Sequence, residues 1–221
     1  AMDASGLAVS TLCPSGDDDF VHPDPAERER RLAGLVRTLS LVEALGARGA
    51  IALPIRNPMH LPDLSPVASE RELITDLAVV ALASALEATR GAEARILLEP
   101  LNRYEAYYLR TLADGAALCG RVADPRVQIM ADLFHMNIEE VDVGAALRDA
   151  GAYVGHVHLA DSNRLQPGQG HTNFFLAFRA LRAIEFDGWM ALECGIAGDA
   201  SEALPETVEF LRDAWEAAEQ A

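Results

Sequence analysis

The sequence predicts an α/β chain organised around a parallel sheet with helical crossovers. Short β-rich runs alternate with longer helical patterns six times, which is the mark of consecutive βα units. The strand candidates are near-continuous apolar runs, as strands buried on both faces should be. With 221 residues, half of them hydrophobic, the chain can bury a sizeable core, and residues 1–221 are read as one domain.

Taken in order, Leu7–Cys13 is the first strand candidate, and Ser15–Asp24 an acidic loop marked by Gly and Pro. Ala1-Met2 reads as an expression scar ahead of an initiator methionine. Asp24 is placed to cap a helix that begins at Pro25, carries Leu32, Leu35, Val36, Leu39, Val42 and Leu45 on one face, and stops at Gly46. Ala50–Ile55 is the next strand, followed by a loop holding Pro54, Pro58, Pro62 and Pro66. Ser69 and Glu72 match a capping box for a helix to about Arg90. Ile96–Leu101 is a strand and Tyr104–Arg121 a helix; Val127–Leu133 is a strand, with a helix from about Ile138 to Asp149. Tyr153–Ala160 and Trp189–Cys194 are the last two strands, followed by helices at Asn173–Ile184 and Ser201–Glu219. An open doubly wound sheet and a (β/α)8 barrel both fit this order. No GxGxxG or GxxxxGK[ST] follows a strand, which leaves the nucleotide-binding form unsupported. A barrel needs eight units, two more than are visible.

Composition removes several function classes. Eighteen Lys and Arg against 34 Asp and Glu give a formal charge of −16, which repels nucleic acids and anionic membranes. Cys13, Cys119 and Cys194 are far apart and odd in number, so neither a disulfide framework nor a structural zinc site is expected, and a cytoplasmic setting is the default. No signal peptide is evident, and Leu73–Leu86, interrupted by Thr75, Asp76 and Ser84, is too short to span a bilayer.

The chemistry collects at the carboxyl ends of four successive strands, in Glu99, Asp132, His158 and Glu193, spaced by 33, 26 and 35 residues. Each spacing is about one βα unit, so the four can converge at similar heights. A lone strand-end glutamate usually caps or meets solvent, and a lone strand histidine is usually a hydrogen-bonded core residue. Four in register argue for a shared site. Carboxylates and one imidazole, with no thiolate, suit a divalent cation such as Mn²⁺, Mg²⁺ or Co²⁺, which also offsets the repulsion among buried carboxylates. His156 has the same side-chain parity as His158, and parity alone does not separate them. His135, Arg164 and Glu105 flank the cluster; Asn102 and His171 are weaker candidates that can equally satisfy loop backbone.

The segments ILLEPLNRYE, ADLFHMNIEE, GHVHLADSNRLQPGQGH and MALECG resemble the motifs of the D-tagatose 3-epimerase group of sugar isomerases and epimerases, from about Leu7 to the C-terminus. That resemblance implies a xylose-isomerase-like TIM barrel. It implies Glu99, Asp132, His158 and Glu193 as ligands of one divalent metal ion (Mn²⁺ first, with Mg²⁺, Co²⁺ or Zn²⁺ as alternatives), and so separates His158 from His156. Glu99 and Glu193 are implied as the acid/base pair, His135 and Arg164 as substrate-binding residues, and Glu105 as a polar active-site residue. Leu7–Cys13 then corresponds to the third barrel strand. The first two βα units have no counterpart, and truncation or a partner chain covering the exposed strand edges would each account for that.

The activity this implies is inversion at C3 of a ketose through a metal-stabilised cis-enediolate, with a small-molecule sugar as partner and a homo-oligomer as an open option. The same groups could shift a proton between C1 and C2, as in an aldose–ketose or hydroxypyruvate isomerase, or serve a sugar dehydratase. A phosphodiesterase of the endonuclease IV type conflicts with the charge of −16 and six histidines. A catalytically impaired sugar-binding barrel is the non-enzymatic alternative.

Overall fold

The structure, a computed structural model, describes residues 6–14, 20–53, 55–56, 58 and 61–219. Ala1-Met2, residues 15–19 of the acidic loop and Pro54 lie outside these residues. Six strands, β1 (Thr11–Leu12), β2 (Gly49–Ala52), β3 (Arg95–Leu98), β4 (Val127–Asp132), β5 (Val154–Leu159) and β6 (Trp189–Leu192), pair in parallel in that order. The helices are α1 (Pro25–Leu45), α2 (Glu70–Ala88), α3 (Leu112–Val122), α4 (Leu133–Glu139), α5 (Val143–Ala150), α6 (Phe174–Ala183) and α7 (Ala200–Ala217), with a short 3₁₀ turn at Gly151–Tyr153.

The sheet is curled into part of a barrel. Arg48, ahead of β2, reaches Asp187, ahead of β6, at 3.3 Å. Four flat strand spacings would separate them by roughly 19 Å, beyond the reach of one arginine. The main apolar core fills the layer between sheet and helices, with Ile96, Leu98, Ile129, Val157 and Phe178 all but fully buried. Ile51, Leu97 and Met130 form a separate buried cluster on the opposite, concave face.

Local signals account for most helix ends. Asp24 accepts a hydrogen bond from Ala26 N–H, and Gly46, at φ 64°, takes the left-handed conformation that ends α1. Ser69 and Glu72 form the expected reciprocal box. Two readings need correction. The helix expected from Tyr104 begins only at Leu112, because Thr111 and Asp114 make a second capping box and residues 102–111 form a loop bridged through Tyr108 to Ile55. The helix expected from Ile138 is two helices: Asp132 caps α4 at the end of β4, and Asp142 caps α5. Strand β1 is shorter than the apolar run suggested, with pairing confined to Thr11–Gly49 and Leu12–Ala50.

The outer layer depends on aromatic packing between α6 and α7. Phe178 stands edge-on to Trp215 at 5.4 Å and near Phe174 at 6.1 Å. Phe178→Ala should therefore destabilise the fold by about 3–5 kcal/mol in urea unfolding. A loss below about 1 kcal/mol would show that this layer is not held by that contact.

Candidate metal centre at the barrel mouth

The four ionisable residues converge because strand register places them on one face. Asp132 pairs with His158, and His158 pairs with Ala191, two residues before Glu193. Leu97 pairs with Gln128, which sets Glu99 level with Met130 on the concave face. Curvature does the rest. One donor atom from each of Glu99, Asp132, His158 and Glu193 lies within 4.8 Å of the others. Glu99, Asp132 and His158 are buried, and Glu193 is partly open.

This crowding has an electrostatic cost. Burial, and then the Asp132 and Glu193 charges, push the Glu99 carboxyl well above the ordinary glutamate range. Burial raises Asp132 to about 6, although Arg164 and His158 oppose it. Contact with the His158 imidazole, 3.2 Å away, and the Arg164 charge hold Glu193 at about 2. Arg164 spans the cluster, donating to Asp132 Oδ2 at 3.2 Å and Glu193 Oε2 at 2.6 Å, with its guanidinium 4.5 Å from the centre of the Phe134 ring. Its backbone, at φ 61°, is left-handed, an uncommon state for a non-glycine residue that is held here by the loop.

His135 sits in the first turn of α4 and is buried, in a stretch between the expected strand ending at Leu133 and the helix expected from Ile138. Its Nδ1 accepts from the Asn102 backbone N–H at 3.2 Å and faces the Asn102 side-chain amide at 2.8 Å. With Nδ1 accepting, the ring proton falls on Nε2, which points into the cluster 3.8 Å from both Glu99 and Asp132 and lies 3.2 Å from the Arg164 guanidinium, a contact between two donors and not a hydrogen bond. Burial, reinforced by Arg164, lowers His135 to about 4, so it is neutral at pH 7. Glu105 accepts from Asn102 at 2.8 Å and remains half-exposed at the rim. His156 is buried with neither ring nitrogen hydrogen-bonded, edge-on to His158 at 5.2 Å, below the cluster. His171 is exposed, and its backbone N–H donates to Ser162 Oγ.

The donor set fits a divalent cation. It is all oxygen and nitrogen, and the buried His158 Nδ1 makes no hydrogen bond, since Glu193 approaches it outside hydrogen-bonding geometry. Two supporting residues escaped the sequence reading. Gln166 is buried and clamps Ala197 from both sides, accepting from its N–H at 2.9 Å and donating to its carbonyl at 3.1 Å. With the Leu165–Gly195 bridge, it ties the Arg164 loop to the Glu193 loop. Phe134 supports Arg164 from below. An amide in a loop and an apolar residue beside a histidine carry no signal of such roles in sequence.

Asp161 organises the same loop. Its Oδ1 accepts from Ser162 and Thr172 N–H at 2.7 and 3.0 Å, and its Oδ2 from Gly168 N–H at 2.9 Å. Burial pushes its carboxyl up, but these backbone donors outweigh burial and hold it below the ordinary aspartate value. A depressed folded pKa contributes stability that is full above the unfolded value of about 3.9 and is lost as pH falls through the folded value. Asp161→Asn, which cannot serve Gly168, should cost about 1–3 kcal/mol at pH 7, and the gap to wild type should narrow below about pH 4 in thermal melts. A gap that stays constant with pH would contradict the charged role.

Comparison with known proteins identifies the fold. Residues 1–214 match the family model described as Xylose isomerase-like TIM barrel. The 3-dehydro-D-guloside 4-epimerase of Escherichia coli K12 is 36% identical over 96% of this chain and 82% of its own length. The L-ribulose 3-epimerase of Mesorhizobium japonicum is 31% identical over 95% of this chain and 69% of its own. The crystal structure of 3-keto-D-glucoside 4-epimerase from E. coli superposes with a TM-score of 0.83 at 31% identity, covering 96% of this chain and 81% of that one. The chain belongs to the xylose isomerase-like TIM-barrel family.

Proposed function

We propose that this protein is a divalent-metal-dependent sugar epimerase that inverts a carbon next to a ketone, with C3 of a ketose as the first candidate centre. The observation that carries this reading is the convergence of Glu99, Asp132, His158 and Glu193 from four strands onto one point. These four would hold the cation, with Mn²⁺ the first choice for such a donor set. Bound there, the cation supplies Lewis acidity to the substrate carbonyl and offsets negative charge that develops beside it.

The remaining chemistry falls to the side chains. Glu99 follows β3 and Glu193 follows β6, so the two carboxylates enter the mouth from different sides. One removes the proton next to the carbonyl, and the other returns a proton to the opposite face of the planar intermediate, which is what inversion requires. His135, through Nε2–H, and the Arg164 guanidinium donate to substrate oxygens, and Glu105 accepts at the rim. Partial burial keeps bulk water from competing for those hydrogen bonds. The substrate is a small sugar. Among the described residues no helix is long and apolar enough to cross a membrane.

A second reading has a specific observation behind it. The E. coli relative at 36% identity is a 4-epimerase of a 3-dehydro sugar. A C4 proton beside a C3 ketone is chemically equivalent to a C3 proton beside a C2 ketone, so the same residues serve either reaction. Isomerisation between C1 and C2 uses the same groups.

Incubating Mn²⁺-loaded protein with ketoses and 3-keto glycosides in D₂O separates these readings by NMR. Deuterium at C3 of a ketose with inversion supports 3-epimerisation, and deuterium at C4 of a 3-keto sugar supports 4-epimerisation. Label at C1 or C2 identifies an isomerase, and no exchange with bound Mn²⁺ leaves a sugar-binding barrel. Glu193→Gln should slow exchange on the order of 10²–10⁴-fold.

A further inference from the structure

The end of the sheet opposite the carboxylate cluster holds a second concentration of charge. A cavity of about 560 Å³ opens beneath the amino ends of β2, β3 and β4, lined by Arg48, Arg95 and Arg126 together with Glu43 and Glu93. Three of these groups are already engaged or distant in role. Arg126 donates to the Leu86 and Thr89 carbonyls, both at 2.9 Å, and closes the end of α2. Glu43 Oε2 accepts from the backbone N–H groups of Glu93 and Ala94 at 3.2 and 3.0 Å. Glu93 lies in the exposed turn before β3.

Arg48 and Arg95 are not satisfied in this way. Arg48 meets Asp187 at 3.3 Å, but that aspartate side chain is 87% exposed and screens weakly, and Arg48 Nε is buried without a hydrogen-bond partner. Arg95 donates to the neutral Gln128 Oε1 at 2.7 Å and to no carboxylate among the described residues. Burial, and then the neighbouring Arg48 charge, lower the Arg95 pKa below its ordinary value. Two guanidiniums thus line one recess with a spare donor, Arg48 Nε, and room for a guest, their charge partly offset by Asp187 and Glu93. Carboxylates that are largely exposed offset these cations only in part, and an anion between the guanidiniums would complete the compensation.

We propose that Arg48 and Arg95 form a binding site for a phosphate group at the amino-terminal mouth of the barrel, separate from the sugar site. Guanidinium forks match phosphate oxygens in bidentate fashion, and the cavity exceeds the size of a free phosphate ion. A phosphomonoester and inorganic phosphate share this chemistry.

Isothermal titration of the purified protein with inorganic phosphate and with glycerol phosphate tests the site. Arg95→Gln and Arg48→Gln should each weaken binding at least tenfold, whereas Arg164→Gln, at the other mouth, should leave it unchanged. Glu93→Gln removes a repelling charge without touching the arginines and should tighten binding, which guards against loss through misfolding. Tighter binding of glycerol phosphate identifies a phosphomonoester site, and equal binding a site for the ion. No binding to wild type, loss confined to Arg164→Gln, or affinities unchanged in both Arg95→Gln and Glu93→Gln would overturn the proposal.

Discussion

Three carboxylates share one small volume at the barrel mouth, and the surrounding structure is arranged around that repulsion. Glu99, Asp132 and Glu193 sit on adjacent or nearby strands whose parallel register leaves them facing one another. Burial alone would drive such a cluster to take up protons, as the raised Glu99 and Asp132 show. Positive charge is therefore a structural need of this site. Arg164 meets part of it from the β5 loop, and a divalent cation among four donors within 4.8 Å would meet the rest.

Rigidity around the cluster follows from the same need. Opposed and attracted charges settle into one geometry only if their loops cannot yield. Asp161 gathers three backbone N–H groups to shape the loop after β5, and Gln166 and the Leu165–Gly195 bridge fasten that loop to the one carrying Glu193. Below, Ile51, Leu97 and Met130 fill the concave face, with His156 beside them, so the site rests on a buried floor. Asp132 has two tasks: its side chain also caps α4, which fixes His135 in the first turn. That economy links the helix start to the position of the imidazole.

Much of this was readable in the residues. Strand alternation gave six βα units, and one-unit spacing singled out Glu99, Asp132, His158 and Glu193 before any geometry was known. Asp24, Gly46 and the Ser69–Glu72 pair marked their helix ends because capping is a local interaction between near neighbours. The errors arose where the deciding contact was not local or where local signals competed. The Tyr104–Arg121 segment has helical periodicity, yet Tyr108 is drawn to Ile55 and Thr111 offers a later start. Asp132 was read as a ligand candidate but not as a cap, so α4 and the burial of His135 were missed. Gln166 and Phe134 act through partners 31 and 30 residues away in sequence, a pairing that only the folded chain brings about.

The claim on which the site rests is that four donors on four strands make one cation centre. Electron paramagnetic resonance of Mn²⁺ titrated into wild type, Asp132→Asn, His158→Ala and Glu193→Gln tests it directly. One high-affinity ion per chain in wild type, weakened at least tenfold in every variant, is the expected result. Stoichiometric binding that survives the loss of both Asp132 and His158 would contradict it.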